Sequence, residues 1–478
     1  MAGPAADPGA AEHVVHPDLA DGLADLVARA HRLDVALHTV DVRAGGERLL
    51  TAAAAPRGHD VPQRMYSVSK TVTGLAVGLL AAEGRLSLDD PVVRHFPDVV
   101  AGHPVHPWLE ATTLRHMLAM VGPHRSTTYK VREGGWLESY FRVPPTHPPG
   151  TLFTYDTSAS YTLAALVERT TGGSLVDYLR PRVLDPLGVS AGLRFLTGPD
   201  GFSHGGSGLV CTPDDLTRLA RLLNADGVHD GVRLLPADYL EAATTPQSSP
   251  ATQTWGGPFR TAYGYQLWLP PGGGWLMFGL GGQIVHGDPE RQVTVVVTAD
   301  AQAAASGDQK LLDLVLDRLV EPARALVGAT RTSPARGDAE VADLPWPAPR
   351  HDAAHARPLT GEWTTRTPGA GPGALRLDVD ADVGTLASSD GWSIAVDLTG
   401  PHVTRVRAEP AVVTAGWTAP GVLDVRVGTH GDELATLRLR LALADDGTLA
   451  VQSQGFGETL DSRWTFHAAY ARAGAVSP

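Results

Sequence analysis

Residues 65–86 read MYSVSKTVTGLAVGLLAAEGRL, and this stretch decides the fold. Val72, Leu75, Ala76, Leu79 and Leu80 recur at i, i+3, i+4, i+7 and i+8, the spacing of an amphipathic helix stopped near Gly84. Ser67 and Lys70 fall in its first turn, three residues apart and therefore on one face. An amine placed there reaches the serine Oγ, and the positive end of the helix favours an alkoxide while disfavouring an ammonium. An isolated lysine titrates near about 10.4, so desolvation and the helix end together have to lower that value before the amine can act as a base. The other use of the same residues is a capping serine followed by an exposed lysine.

Two further segments add chemistry. In TLFTYDTSASYTLAALVERTTGG (151–173), Tyr155 stands just before a helix expected over about 160–170. A phenol beside a Ser/Lys pair relays the proton from Oγ to a leaving group, given a pKa lowered from about 10 by the ammonium; the alternative is a half-buried packing tyrosine. In MFGLGGQIV (277–285) a glycine-rich entry into a strand lets an acyl group approach the backbone. The N–H near Gln283 would join that of Ser67 as an oxyanion hole, or the glycines mark a β-bulge.

In this order and spacing the elements resemble the serine β-lactamase-like superfamily, which holds class C β-lactamases, penicillin-binding-protein-like carboxypeptidases, esterases and D-amino-acid amidases. LRHMLAM (114–120), PPGTLFTY (148–155), TGGSLVDYL (171–179), DPLGV (185–189) and GLVCTPDDLTRLARLL (208–223) are similar to family landmarks, so the likeness covers roughly 17–328. It implies Ser67 as acyl-accepting nucleophile, Lys70 as base and Tyr155 as proton relay. It also implies an α+β fold, an antiparallel sheet flanked by helices with a mostly helical insertion, and the site between sheet and insertion. No metal or organic cofactor is implied. His124, which follows LRHMLAMVGP, borders the pocket in the family.

Two departures matter. The second motif is Tyr155-Asp156-Thr157 where the family has Tyr-x-Asn or Ser-x-Asn, and the lone asparagine, Asn224, lies elsewhere. The third motif aligns as Leu280-Gly281-Gly282, with leucine where a cation would hold a substrate carboxylate. The expectation is a neutral or hydrophobic acyl substrate and poor penicillin turnover. The resemblance leaves open an acyl-transferring thioesterase or peptide cyclase using the same residues, since the layout is similar to family cyclases and D-aminopeptidases that carry a C-terminal β-barrel, and a non-catalytic binding scaffold stays open beside them. Gly201-Phe202-Ser203-His204-Gly205 matches the Gly-x-Ser-x-Gly elbow of α/β-hydrolases, but two more glycines and Pro213 follow where that elbow needs a helix.

The rest of the chain sets the frame. Its 478 residues are 43% hydrophobic and 19% charged, enough to bury a core. A net charge of −13 lacks the basic footprint of a nucleic-acid or membrane-surface binder. One cysteine, Cys211, excludes an internal disulfide and a cysteine-based zinc cage. The histidines His124, His204 and His286 show no metal-ligand spacing, and PGGGW (271–275) is a turn rather than a phosphate loop. No apolar run spans a bilayer and no secretory signal is legible, so a cytoplasmic location is expected.

Residues 1–16 read as a loose tail, 17–33 as an amphipathic helix, and Val35–Val42 with Glu47–Ala53 as a hairpin. Helices dominate 67–245, strands return from about 261, and a last helix is expected around 310–326. The Pro/Ala-rich 329–356 reads as a linker. Beyond it, short alternating runs over 357–471 predict a second, all-β barrel or sandwich domain. Partners are limited to a small ester, amide or peptide substrate, with the oligomeric state open.

Overall fold

The computed structural model describes residues 16–327, 342–380, 382–460 and 462–473. The first helix, α1 (Pro17–Arg32), starts with proline at its first position and His16 accepting from the Asp18 N–H, and buries Leu19, Leu23, Leu26 and Ala30. Strands β1 (Ala36–Ala44) and β2 (Glu47–Ala53) form the expected hairpin around Gly45 and Gly46, both at positive φ.

The returning strands β3 (Trp275–Gly279), β4 (Gln283–Asp288) and β5 (Val293–Asp300) complete the sheet, β5 pairing antiparallel with β1. The eight-stranded order is 342–343, β2, β1, β5, β4, β3, then Trp268–Leu269 and Ala262–Tyr263. Valines fill β5 because both its faces are covered. α1 and the C-terminal helices pack on one side, and the helix Pro213–Asn224 on the other.

The decisive stretch becomes a 3-10 turn, Tyr66–Val68, running into α2 (Ser69–Ala82). Here the structure corrects the amphipathic expectation: every residue of α2 from Ser69 to Leu80 is buried. Gly74 and Gly78 make this possible, since a Cβ at Gly78 would stand 2.5 Å from the Tyr239 ring. The second helix of the site, α3 (Thr157–Thr171), starts three residues earlier than expected, capped by Asp156, and ends on the left-handed Gly172. The expected last helix is broken into Gly307–Val315 and Glu321–Leu326 by a π-type turn at Leu316–Val320.

The second domain is a ten-stranded antiparallel sheet, from Gly361–Thr365 to Phe466–Arg472, whose edge strands Ser393–Asp397 and His402–Val406 approach each other to give a nearly closed barrel. Trp363, Trp417, Leu377, Leu439 and Tyr470 fill its interior.

The segment expected as a linker is not free where it is described. Ala342–Asp343 pairs in parallel with β2, and the buried Trp346 donates its ring N–H to Ala55 O at 2.7 Å. Residues 328–341 and the tail up to residue 15 lie outside the described residues. Across the junction, Asp34 pairs with Arg426 at 3.0 Å and with Arg438. No helix among the described residues is long and apolar enough to cross a membrane.

Candidate active site

Ser67 sits in the 3-10 turn and Lys70 one turn further on, at the second residue of α2. Lys70 Nζ donates to Ser67 Oγ at 2.9 Å and to the carbonyl of Gly206 at 2.6 Å. The lysine is 1% exposed. Burial pulls its pKa down to about 7, against the upward pull of the Asp156 carboxylate and with a small further lowering from Lys130. An amine at that value is neutral in about half of the molecules at pH 7.

Gly206 directly follows the segment that matched the hydrolase elbow, and the structure gives that stretch a different role from the one the motif names. A Cβ at Gly205 would meet Ala164 Cβ at 2.5 Å, and one at Gly206 would meet Thr157 Cγ2 at 2.5 Å. The two glycines let the loop press between α2 and α3 and aim a carbonyl at Lys70. Ser203 is buried, with its N–H directed at the Glu168 carboxylate at 3.3 Å, and no helix follows it.

Tyr155 comes in from the start of α3. Lys70 Nζ lies 4.7 Å from its ring centroid, and the Ser67 side chain bears on its hydroxyl. The ring stacks on Trp268 at 5.4 Å and meets Trp255 edge-on at 5.2 Å. The expected lowering of the phenol is corrected: burial raises its pKa above the ordinary 10, and the influence of Ser67 offsets only part of that. Tyr155 is therefore an un-ionised hydroxyl, able to donate and accept but not a phenolate.

Asp156, the middle residue of the Tyr155-Asp156-Thr157 triplet, accepts from the Ser158 N–H at 2.8 Å and from the Ser158 hydroxyl. Desolvation pushes it up to about 6, against those hydrogen bonds. Its charge acts on Lys70 through space, while Gly206 O supplies the direct acceptor.

The cleft in front of Ser67 encloses about 880 Å³. One wall is aromatic: Tyr129 stacks on Trp136 at 4.2 Å, and His204 meets Trp136 edge-on at 4.9 Å. Burial holds His204 down at about 3, so it is a neutral ring. Trp255, Phe278 and Leu280 line the cleft as well, the last 51% exposed. Thr157 and Gly281 also line it. Among the described residues no group of three or more His, Cys, Asp or Glu is placed to hold a metal ion.

Three expected residues fall elsewhere. His124 is buried, with Nε2 2.9 Å from Tyr140 O, and does not line the cleft. Gln283 is fully buried behind the cleft, its amide bonded to Gln63 at 2.6 Å and Ala299 O at 2.7 Å. Gly282 packs beside Leu311, where a Cβ would come within 2.8 Å. The end of β3 packs against the nucleophile segment: a Cβ at Gly279 would lie 2.3 Å from Met65 O. Sequence reading also missed Gly206, Trp136 and Trp255. Only the glycine pair at 205–206 left a signal, and it pointed to another motif.

An antiparallel sheet between helices, with a serine and a buried lysine one turn apart at the start of the central helix, defines a serine β-lactamase-like fold. The Beta-lactamase family model matches residues 21–320, and the chain belongs to that family. It is 26% identical over 246 residues to Protein Rv1367c of Mycobacterium tuberculosis, covering 40% of this chain and 61% of that one. It is 27% identical over 248 residues to the 6-aminohexanoate-dimer hydrolase of Paenarthrobacter ureafaciens, covering 48% and 63%. The chain thus spans less than two thirds of the length of these curated relatives. The octameric penicillin-binding protein homologue from Pyrococcus abyssi shares the fold at a TM-score of 0.50 and 16% identity, over 95% of this chain and all of that one.

Proposed function

We propose that the protein is a serine hydrolase that cleaves an ester or a small amide through an acyl-serine. The observation that carries this reading is the 2.9 Å contact between Ser67 Oγ and a lysine whose pKa burial pulls down to about 7. The neutral Lys70 amine takes the Ser67 proton as Oγ attacks the substrate carbonyl carbon. The resulting oxyanion is held by the N–H of Ser67 and the backbone at the end of β3, around Gly279. The proton on Lys70 passes through the Tyr155 hydroxyl to the leaving alkoxide or amine, and the acyl-serine bond remains. Water then attacks that ester by the same route in reverse, returning the proton to Ser67.

Leu280, Trp255 and Phe278 favour an uncharged, apolar acyl group, and Leu280 leaves no cation where a β-lactam carboxylate would need one. An amide substrate is in keeping with the name of the 6-aminohexanoate-dimer hydrolase. The test is turnover of a p-nitrophenyl ester, a D-amino-acid amide and nitrocefin by wild type and Ser67→Ala, with a fluorophosphonate mapped by peptide sequencing. Ester or amide turnover and a label on Ser67, both lost in Ser67→Ala, are expected. A wild type inert on all three and unlabelled would refute the reading.

A further inference from the structure

Ser67 is preceded by a segment tied to the other domain. The barrel hairpin between Val422–Thr429 and Ala435–Leu443 turns at residues 430–434 against residues 64–66. Arg64 donates its backbone N–H to Asp432 O at 2.9 Å. Its Nη1 reaches Glu433 at 2.9 Å and Glu458 at 2.7 Å, and its Nε reaches Ser207 O at 2.8 Å. Its guanidinium lies 4.7 Å from the Tyr66 ring centroid.

Tyr66 itself holds φ 46°, in the left-handed region that costs a bulky residue energy and persists only where the surroundings enforce it. Its hydroxyl accepts from the Leu434 N–H at 3.3 Å and from Gln302 Nε2 at 3.5 Å, while Gln302 donates to Leu434 O at 2.6 Å. Arg64, Tyr66 and Glu458 all line the cleft.

We propose that the barrel is a working part of the catalytic unit: its 430–434 turn and Glu458 hold Arg64 and Tyr66, which act as positioning residues for Ser67. The proposal rests on Ser67 being the nucleophile. A strained residue directly before the nucleophile is set by its two ends, and the side-chain end is fixed largely by the barrel. Released from Leu434, Tyr66 relaxes, and the Ser67 N–H and Oγ turn with it, away from the oxyanion site and from Lys70. Substrate contacts of the aromatic walls stay in place, so the loss falls on kcat and not on KM.

The experiment uses the full chain. Tyr66→Phe keeps the ring and removes the hydroxyl; a second variant, Glu433→Gln with Glu458→Gln, weakens the grip on Arg64 from the barrel side alone. Ester kcat and KM, and the second-order rate of fluorophosphonate labelling at Ser67, are measured well below each variant's Tm. Both variants are expected to label about tenfold more slowly, with kcat reduced in proportion and KM within twofold of wild type. Arg426→Met, which breaks the ion pair to Asp34 elsewhere on the domain junction, is expected to lower Tm and leave labelling unchanged. Wild-type labelling rates in Tyr66→Phe and in the double variant overturn the proposal while leaving Ser67 as nucleophile. Slowing by Arg426→Met equal to that of Tyr66→Phe also overturns it, since the effect would then belong to the interface in general. A wild type that does not label at Ser67 refutes the nucleophile and the proposal together.

Discussion

In the proposed mechanism, the pH dependence of acylation follows from the environment of Lys70. An ordinary lysine near 10.5 is neutral in only about one molecule in three thousand at pH 7, whereas one held at about 7 is neutral in half. Burial therefore supplies roughly a thousandfold more free base, equivalent to about 4 kcal/mol. The second-order rate of Ser67 labelling should rise about tenfold per pH unit below pH 7 and level off above roughly pH 8. Asp156 is the largest influence holding the ammonium in place. Asp156→Asn removes that charge and keeps an acceptor oxygen for Ser158, so the midpoint should move to lower pH while the plateau persists. The assay is stopped-flow or gel-based labelling from pH 5 to pH 9, with Ser67→Ala as blank. A profile still rising at pH 9, or an upward shift in Asp156→Asn, would refute the reasoning about which form of Lys70 is active and what sets it.

Three other outcomes are expected. The folded pKa of Lys70 lies below its unfolded value, so the unfolded chain binds more protons between about pH 7 and 10.5, stability rises across that window, and the full penalty of about 5 kcal/mol stands below pH 7. Lys70→Met removes that penalty and orphans the Gly206 carbonyl at about 1–3 kcal/mol, so it should abolish activity yet raise Tm at pH 6 by roughly 5 °C in a thermal scan. Gly279→Ala places a Cβ against the Met65 carbonyl and should cut Ser67 labelling at least tenfold, with a lower Tm. Cys211 is fully buried and its thiol is pushed up by burial; the native chain should give no reaction with a thiol reagent at pH 8 and one thiol in denaturant.

Local chemistry was legible in the sequence and assembly at a distance was not. Ser67 and Lys70 announce themselves because the helix period alone places them together, and Tyr155 because it precedes a helix start. The apolar side of α2 was also readable, but its small residues, Thr73, Gly74 and Gly78, disguised a face that is equally buried. The FGLGG run reads as a glycine-rich strand entry or a β-bulge, and the approach of Gly279 to Met65 is a contact that no local pattern shows. Gly206 touches Lys70 from 136 residues away, and Leu434 reaches Tyr66 across 368; neither contact leaves a periodicity or a motif to find. The Pro/Ala-rich composition of 329–356 was read as slack, yet a single tryptophan, Trp346, finds a core to enter and pins its part of the segment.

The complete enclosure of the helix that carries Lys70 has a bearing on how material enters and leaves. Between Ser69 and Leu80 that rod presents no side to solvent, so it is the fixed post of the molecule and cannot swing to admit a substrate. Any breathing that widens the entrance is left to the other parts of the lining, the Tyr129–Trp136 flank and the Leu280 turn among them. In the proposed function those two borders are where exchanging residues should alter what is admitted while the Ser67–Lys70 pair stays in place.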